Sequence, residues 1–189
     1  MNTKYKFRNQ EALHFVSFAV VGWIDLFIRD EYRQILLDSW NYCMTKKGLE
    51  IYAWVIMTSH VHMIVGTHGD NLEDIFRDMK RHTSKQLREA IVGNPKESRR
   101  EWMISYMRAI GRKNKHNSGF QLWRQDNHPI QLTSPEMTRQ KLEYIHYNPV
   151  EAGLVDYPEE WKYSSARDYY NDSRKGVLEI YRLDGILPI

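Results

Sequence analysis

Leu49-Glu50-Ile51-Tyr52-Ala53-Trp54-Val55-Ile56-Met57, then Thr58-Ser59, then His60-Val61-His62-Met63-Ile64-Val65-Gly66-Thr67, is the run that settles the architecture. Both halves are rich in β-branched and aromatic residues, and only two residues part them, so they read as an antiparallel hairpin. Upstream, His14 to Val21 reads as another buried strand. Residues 29–46 carry Tyr32, Ile35, Leu36, Trp40 and Cys43 at helical spacing, and Gly48 follows as a stop signal. Downstream, Asp70 or Asn71 can cap a helix, with Glu73 or Asp74 three residues on. That helix turns Leu72, Ile75, Phe76, Met79, Leu87 and Ile91 inward. The polar stretch 93–119 reads as a loop around a short helix at 98–109, and Phe120–Trp123 and Pro129–Leu132 as short strands. Ser134-Pro135-Glu136 is a strong helix start. The helix is expected to run to about Asn148, because Pro149 disfavours helical geometry in the residue before it. Residues 161–170 complete the order with a short helix. The order β-α-β-β-α-β-α describes an α+β fold: a ferredoxin-like antiparallel sheet with helices on one face and an additional C-terminal helix. Residues 1–170 are expected to form a single domain, with 93–119 as a basic insertion and 171–189 as a tail.

Composition narrows the class. The chain has 189 residues, 42% apolar and 13% aromatic, enough for a substantial core. Its longest early apolar run, Phe15–Val21, follows Glu11 and His14 and precedes no small-residue cleavage site, so it reads as a strand rather than a secretion signal. No run is long enough for a membrane span. A single cysteine, Cys43, excludes an intrachain disulfide framework and a Cys-rich zinc module. A reduced, cytoplasmic, soluble protein is expected. The net charge of +3 is unevenly spread: residues 77–115 hold twelve Lys or Arg and four acids, for +8, and the remainder carries −5. Clustered cations favour a polyanion. The expected phosphate-binding residues are Arg77, Lys80, Arg81, Lys85, Arg88, Arg112, Lys113 and Lys115, and Trp102, Tyr106, His116 and Phe120 among them could stack bases. A solvated helix face followed by a charged loop gives the same pattern.

Two sets of residues could do chemistry. In a strand, His60 and His62 face the same side, and two convergent imidazoles can chelate a divalent cation. A short His-x-His occurs readily by chance, and more often marks a surface or core pair. Tyr144 and Asn148 lie four apart on a helix, hence on one face. Asn148 could add an oxygen ligand and Tyr144 a phenol, although a packed tyrosine and an asparagine ending a helix before proline are the simpler account of the two residues.

The combination is more telling than its parts. His60-Val61-His62, ending a Trp-Val-Ile-Met strand, and Tyr144-Ile145-His146-Tyr147-Asn148-Pro149-Val150-Glu151-Ala152-Gly153-Leu154-Val155 together resemble the single-tyrosine HUH transposases. Within that group the similarity is greatest to the REP-associated tyrosine transposases and their insertion-sequence relatives. Trp123 to His128 is similar to the family's Trp-x-x-x-x-His segment, and Trp161-Lys162-Tyr163-Ser164-Ser165 to its trailing W-x-Y-S-S. The insertion at 93–119 is longer than in compact members.

The resemblance implies a metal-dependent transposase that nicks and rejoins single-stranded DNA near hairpins. Tyr144 would be the nucleophile, forming a 5′-phosphotyrosine. His60, His62 and Asn148 would hold Mg²⁺ or Mn²⁺, and His128 matches a recurrent histidine in a supporting position. A homodimer sharing active sites, or a monomer, would fit the family. Rival readings are a non-catalytic single-stranded nucleic-acid binder on a ferredoxin-like fold, a zinc hydrolase using His60 and His62, and a replication or conjugation nickase.

Overall fold

The computed structural model describes residues 7, 9–114, 119–125, 129–170 and 175–183. Strands β1 (His14–Ala19), β2 (Leu49–Ile56), β3 (His60–Thr67) and β4 (Ile130–Gln131) form one sheet in the order β2-β3-β1-β4, every pair antiparallel. Helices α1 (Asp30–Lys47), α2 (Leu72–Gly93), α3 (Arg100–Lys113), α4 (Pro135–Glu151) and α5 (Ala166–Tyr170) complete the frame. The architecture is α+β, an antiparallel sheet with helices.

One face of the sheet presents Val16, Phe18, Val61, Met63 and Val65 to the apolar sides of α1, α2 and α3, which contribute Tyr32, Leu36, Trp40, Ile75, Phe76, Leu87, Met103 and Met107 to one buried cluster. Alternation sends Phe15, Ile64 and the two histidines of β3 to the opposite face, where Leu142 and Ile145 of α4 cover them. An irregularity in the β2–β3 register between Ile51 and Ala53 shifts the phase of β2. Leu49 and Ile51 before it, and Trp54 and Ile56 after it, all reach the first cluster, while Ala53 and Val55 reach the second. Three helices therefore share one face, and the helix carrying Tyr144 covers the other, with Tyr169 of α5 packed against the same cluster.

α4 starts as its sequence dictates: the Ser134 side chain accepts the Met137 N–H at 3.1 Å and Pro135 takes the first helical position. Its end differs from expectation, since the helix continues through Pro149 to Glu151. Proline there removes only one bond near the terminus, and the last turn is closed by Ala152 N–H to Asn148 O (3.0 Å) and Leu154 N–H to Pro149 O (2.9 Å). Asn148 thus stays helical, one turn beyond Tyr144. Two further boundaries shift. Between 98 and 109 only a short helix is expected, whereas α3 runs from Arg100 to Lys113; and of Phe120–Trp123 only Trp123 pairs with the sheet, as a single bridge to Val20.

The exposed edge of β2 is covered by the segment after α4. Ile56 N–H bonds Tyr163 O (2.9 Å), Ser165 N–H bonds Trp54 O (2.9 Å), and Trp161 Nε1–H bonds Ile56 O (3.0 Å). Residues 175–183 join the same body: Leu178 and Leu183 are buried, and Tyr181 N–H donates to Ile51 O at 2.9 Å.

Candidate active site

The two-residue period of β3 puts His60 and His62 side by side on the face that α4 covers, their ring centres 4.8 Å apart. From α4, the Tyr144 hydroxyl reaches 3.5 Å from His62 Nε2, and the Asn148 side chain hydrogen-bonds His60. All four sequence-expected residues converge on one spot. Phe15 stacks on the His62 ring at 5.5 Å and fixes its plane, and the Ser59 hydroxyl lies 3.2 Å from His60 Nδ1. His62 is buried, whereas Tyr144 is 40% exposed, so the phenol faces open solvent across a dry floor.

Burial sets the charge state. It pulls His62 down to about 3, helped by neighbouring His60 and Lys141, and lowers His60 as well, against the opposing pull of Asn148 and Asp25. Both rings are therefore neutral at ordinary pH, each with a lone pair available. Two neutral imidazoles and a side-chain amide oxygen are a chemically coherent donor set for a divalent cation. Among the described residues no group of three or more His, Cys, Asp and Glu lies together, so this mixed set would have to rely on Asn148.

Two neighbours escaped the reading of the sequence. Lys141 holds its ammonium 5.6 Å from the Tyr144 ring and 4.8 Å from Phe15. Its spacing of three from Tyr144 on a helix is the signal that could have found it. Ser59 was visible only as half of a turn.

The expected phosphate binders separate into groups. Arg77, Lys80, Arg81, Lys85 and Arg88, all from α2, line a groove of about 1490 Å³, joined there by Arg108 of α3 and by Arg124. Glu73, Asp74 and Glu89 share the lining, and Arg77 and Arg81 pair with Asp74 and Asp78. Arg112 and Lys113 sit exposed at the end of α3, outside that groove. Lys115, His116 and His128 lie outside the described residues. Part of the basic charge is structural: Arg99, with Arg29 just before α1, clasps the buried carboxylate of Glu97 at 3.0 and 2.9 Å.

The chain thus sets a two-histidine strand against a tyrosine-bearing helix. Residues 24–117, about half of it, match the family described as Transposase IS200 like. The chain belongs to this family of single-tyrosine HUH transposases. The matched region includes His60 and His62 and ends before Tyr144. Among solved structures, one described as the REP-associated tyrosine transposase bound to a REP hairpin is similar at a TM-score of 0.64, with 17% identity over 96% of this chain and 95% of that one. A transposase candidate from Deinococcus radiodurans R1 gives a TM-score of 0.40, with 20% identity over 77% of this chain and 95% of that one. No curated protein matches. No helix among the described residues is long and apolar enough to cross a membrane.

Proposed function

We propose that this transposase cleaves and rejoins single-stranded DNA through a covalent link to Tyr144. The observation that carries this reading is the meeting of Tyr144 and Asn148 from α4 with His60 and His62 from β3. A phosphodiester repels nucleophiles by its own charge, so cutting it requires that charge to be neutralised where the nucleophile waits. His60, His62 and Asn148 would hold a divalent cation, Mg²⁺ or Mn²⁺, which supplies that neutralisation as a Lewis acid. The remaining work falls to the chain. β3 fixes the imidazoles by burial, and α4 presents the phenolic oxygen at its exposed edge. Lys141 adds a positive charge beside the incoming phosphate.

In the cleavage step a bond forms from Tyr144 Oη to phosphorus and the bond to the 3′ oxygen breaks. The phenolic proton passes to solvent, and the departing strand ends in a 3′-OH. The 5′-phosphotyrosine keeps the energy of the ester, so a second 3′-OH can reverse the step and join new strands without ATP. The groove along α2 and α3 would track the backbone of the strand. A hairpin beside the cut is in keeping with the REP hairpin bound by the similar structure. The test is Tyr144→Phe on a hairpin-bearing oligonucleotide with Mn²⁺: nicking should vanish while binding persists. Full nicking by the variant would remove Tyr144 from the mechanism.

A further inference from the structure

The turn between β1 and α1 holds a side chain that packing does not explain. Trp23 has φ 55° and is the non-glycine residue with positive φ among the described residues, a conformation that bulky side chains avoid. It is nevertheless 54% exposed, so burial does not repay the strain. Gly22 before it, at φ 66°, leaves no room for a β-carbon because the Tyr106 ring of α3 lies against it. The turn is further pinned by Val21 N–H to Leu122 O (2.8 Å) and Trp23 N–H to Val20 O (3.1 Å).

This strained turn sets the indole between the two functional regions. Its ring centre lies 5.4 Å from that of His60, edge to face, and the Arg124 guanidinium lies 5.4 Å over it. Arg124 lines the basic groove, where its carbonyl accepts from Lys80 Nζ at 2.8 Å and its N–H bonds Ala19 O at 2.9 Å. The groove therefore leads past Arg124 and Trp23 to the paired histidines.

We infer that Trp23 is a stacking platform for the base next to the scissile phosphate, with Arg124 as the cation that steers the strand from the groove onto it. An exposed indole beside a guanidinium is what single-stranded DNA uses for sequence-tolerant stacking. Backbone strain kept at a reaction centre points to function. The inference rests on the proposed single-strand substrate and adds to it a binding subsite on a different element from the catalytic residues.

The test uses the full chain and a dT oligonucleotide carrying one 5-iododeoxyuridine, because stacking needs no particular sequence. Irradiation should link the probe to Trp23, read by peptide mass spectrometry on the unaltered protein. Trp23→Asn, which tolerates positive φ, should bind the oligonucleotide about 5- to 100-fold more weakly. Trp23→Phe should retain most of the affinity, and thermal unfolding should show both variants folded. Crosslinks confined to other residues, with Trp23→Asn binding as tightly as the parent, would overturn the platform. Failure of the unaltered protein to bind any single strand would instead refute the proposed function, so the two failures are distinguishable.

Discussion

Ser165→Ala should loosen the helix that carries the nucleophile, by an amount the structure allows one to work out. His146 lies on α4 between Tyr144 and Asn148, is completely buried, and places Nε2 2.9 Å from the Ser165 hydroxyl. That hydroxyl also accepts the Trp54 N–H at 2.9 Å and lies 3.3 Å from Trp54 O, tying α4 to the edge of β2. The tautomer follows from what surrounds the ring. His146 Nδ1 is buried without a partner, and an unpaired acceptor costs less there than an unpaired N–H. Nε2–H therefore donates to Ser165 Oγ. Removing the hydroxyl strands two buried donors, His146 Nε2–H and Trp54 N–H. At about 1–3 kcal/mol each, less whatever the cavity recovers by admitting water, the loss should be about 2–4 kcal/mol. In a chain of this size that is a fall in melting temperature of roughly 5–15 °C. His146→Leu should cost a similar amount, and the double variant distinctly less than the two together, because the second change removes a group already unpaired. Nicking should fall more than DNA binding, since the shifted helix carries Tyr144 and Asn148 and not the groove. A Ser165→Ala melting temperature within about 1 °C of the parent, or strictly additive variants, would refute the reasoning.

Burial holds His146 down to about 3 in the fold, against an ordinary value of 6.5, so the unfolded chain takes up its proton first. Its stabilising contribution is whole above pH 6.5 and is lost as pH falls from there toward 3. His14, His60 and His62 are lowered in the same direction, so His146→Gln should flatten the acid-side stability slope, by up to about 1.4 kcal/mol per pH unit, without abolishing it. Glu97 loses its contribution in the same direction, for a different cause. Burial alone would raise it, but the bonds from Arg99 and Arg29 outweigh that and hold it down to about 2. Its contribution is complete above the ordinary value of 4.5 and is lost as pH falls to about 2, so Glu97→Gln should cost roughly 2–3 kcal/mol at neutral pH, read by denaturant titration, and show a weaker loss below about pH 4. Chelation, or His62→Ala with Asn148→Ala, should abolish Mn²⁺-dependent nicking while single-strand binding stays within a few-fold, measured by anisotropy. Charge reversal of Lys85 and Arg88 should do the reverse, weakening binding and lowering the salt slope by about 0.7 for each phosphate that is no longer neutralised.

How far the sequence could be read depended on whether the deciding contacts were local. The β2–β3 hairpin, α2 and the start of α4 follow from residue runs and caps within a few positions of each other. The placement of α4 does not. β1, β2 and β3 are apolar on both faces, so alternation cannot reveal that a helix covers the second one. The phase change at Tyr52 and the continuation of α4 through Pro149 depend on neighbours far along the chain. The candidate site was legible because its members sit at two fixed local spacings, two on a strand and four on a helix. Their convergence was supplied by resemblance, not by pattern. Charge density marked the groove while concealing its membership: Arg124 lies outside the basic stretch, and Arg99 within it is held by Glu97. Trp23 had no local signal, since its place beside His60 comes from pairing between the segment around Leu122 and the end of β1.

Tyr144 Oη as the atom that attacks phosphorus is the claim on which the proposed chemistry stands. Incubating the protein with a hairpin-bearing single strand and Mn²⁺, digesting it, and locating the covalent nucleotide by mass spectrometry tests this most directly. A 5′-phosphotyrosine on the peptide containing Tyr144, with a free 3′-OH on the released strand, is the expected result. Cleavage with the nucleotide on any other residue, or with no adduct at any stage, would contradict it.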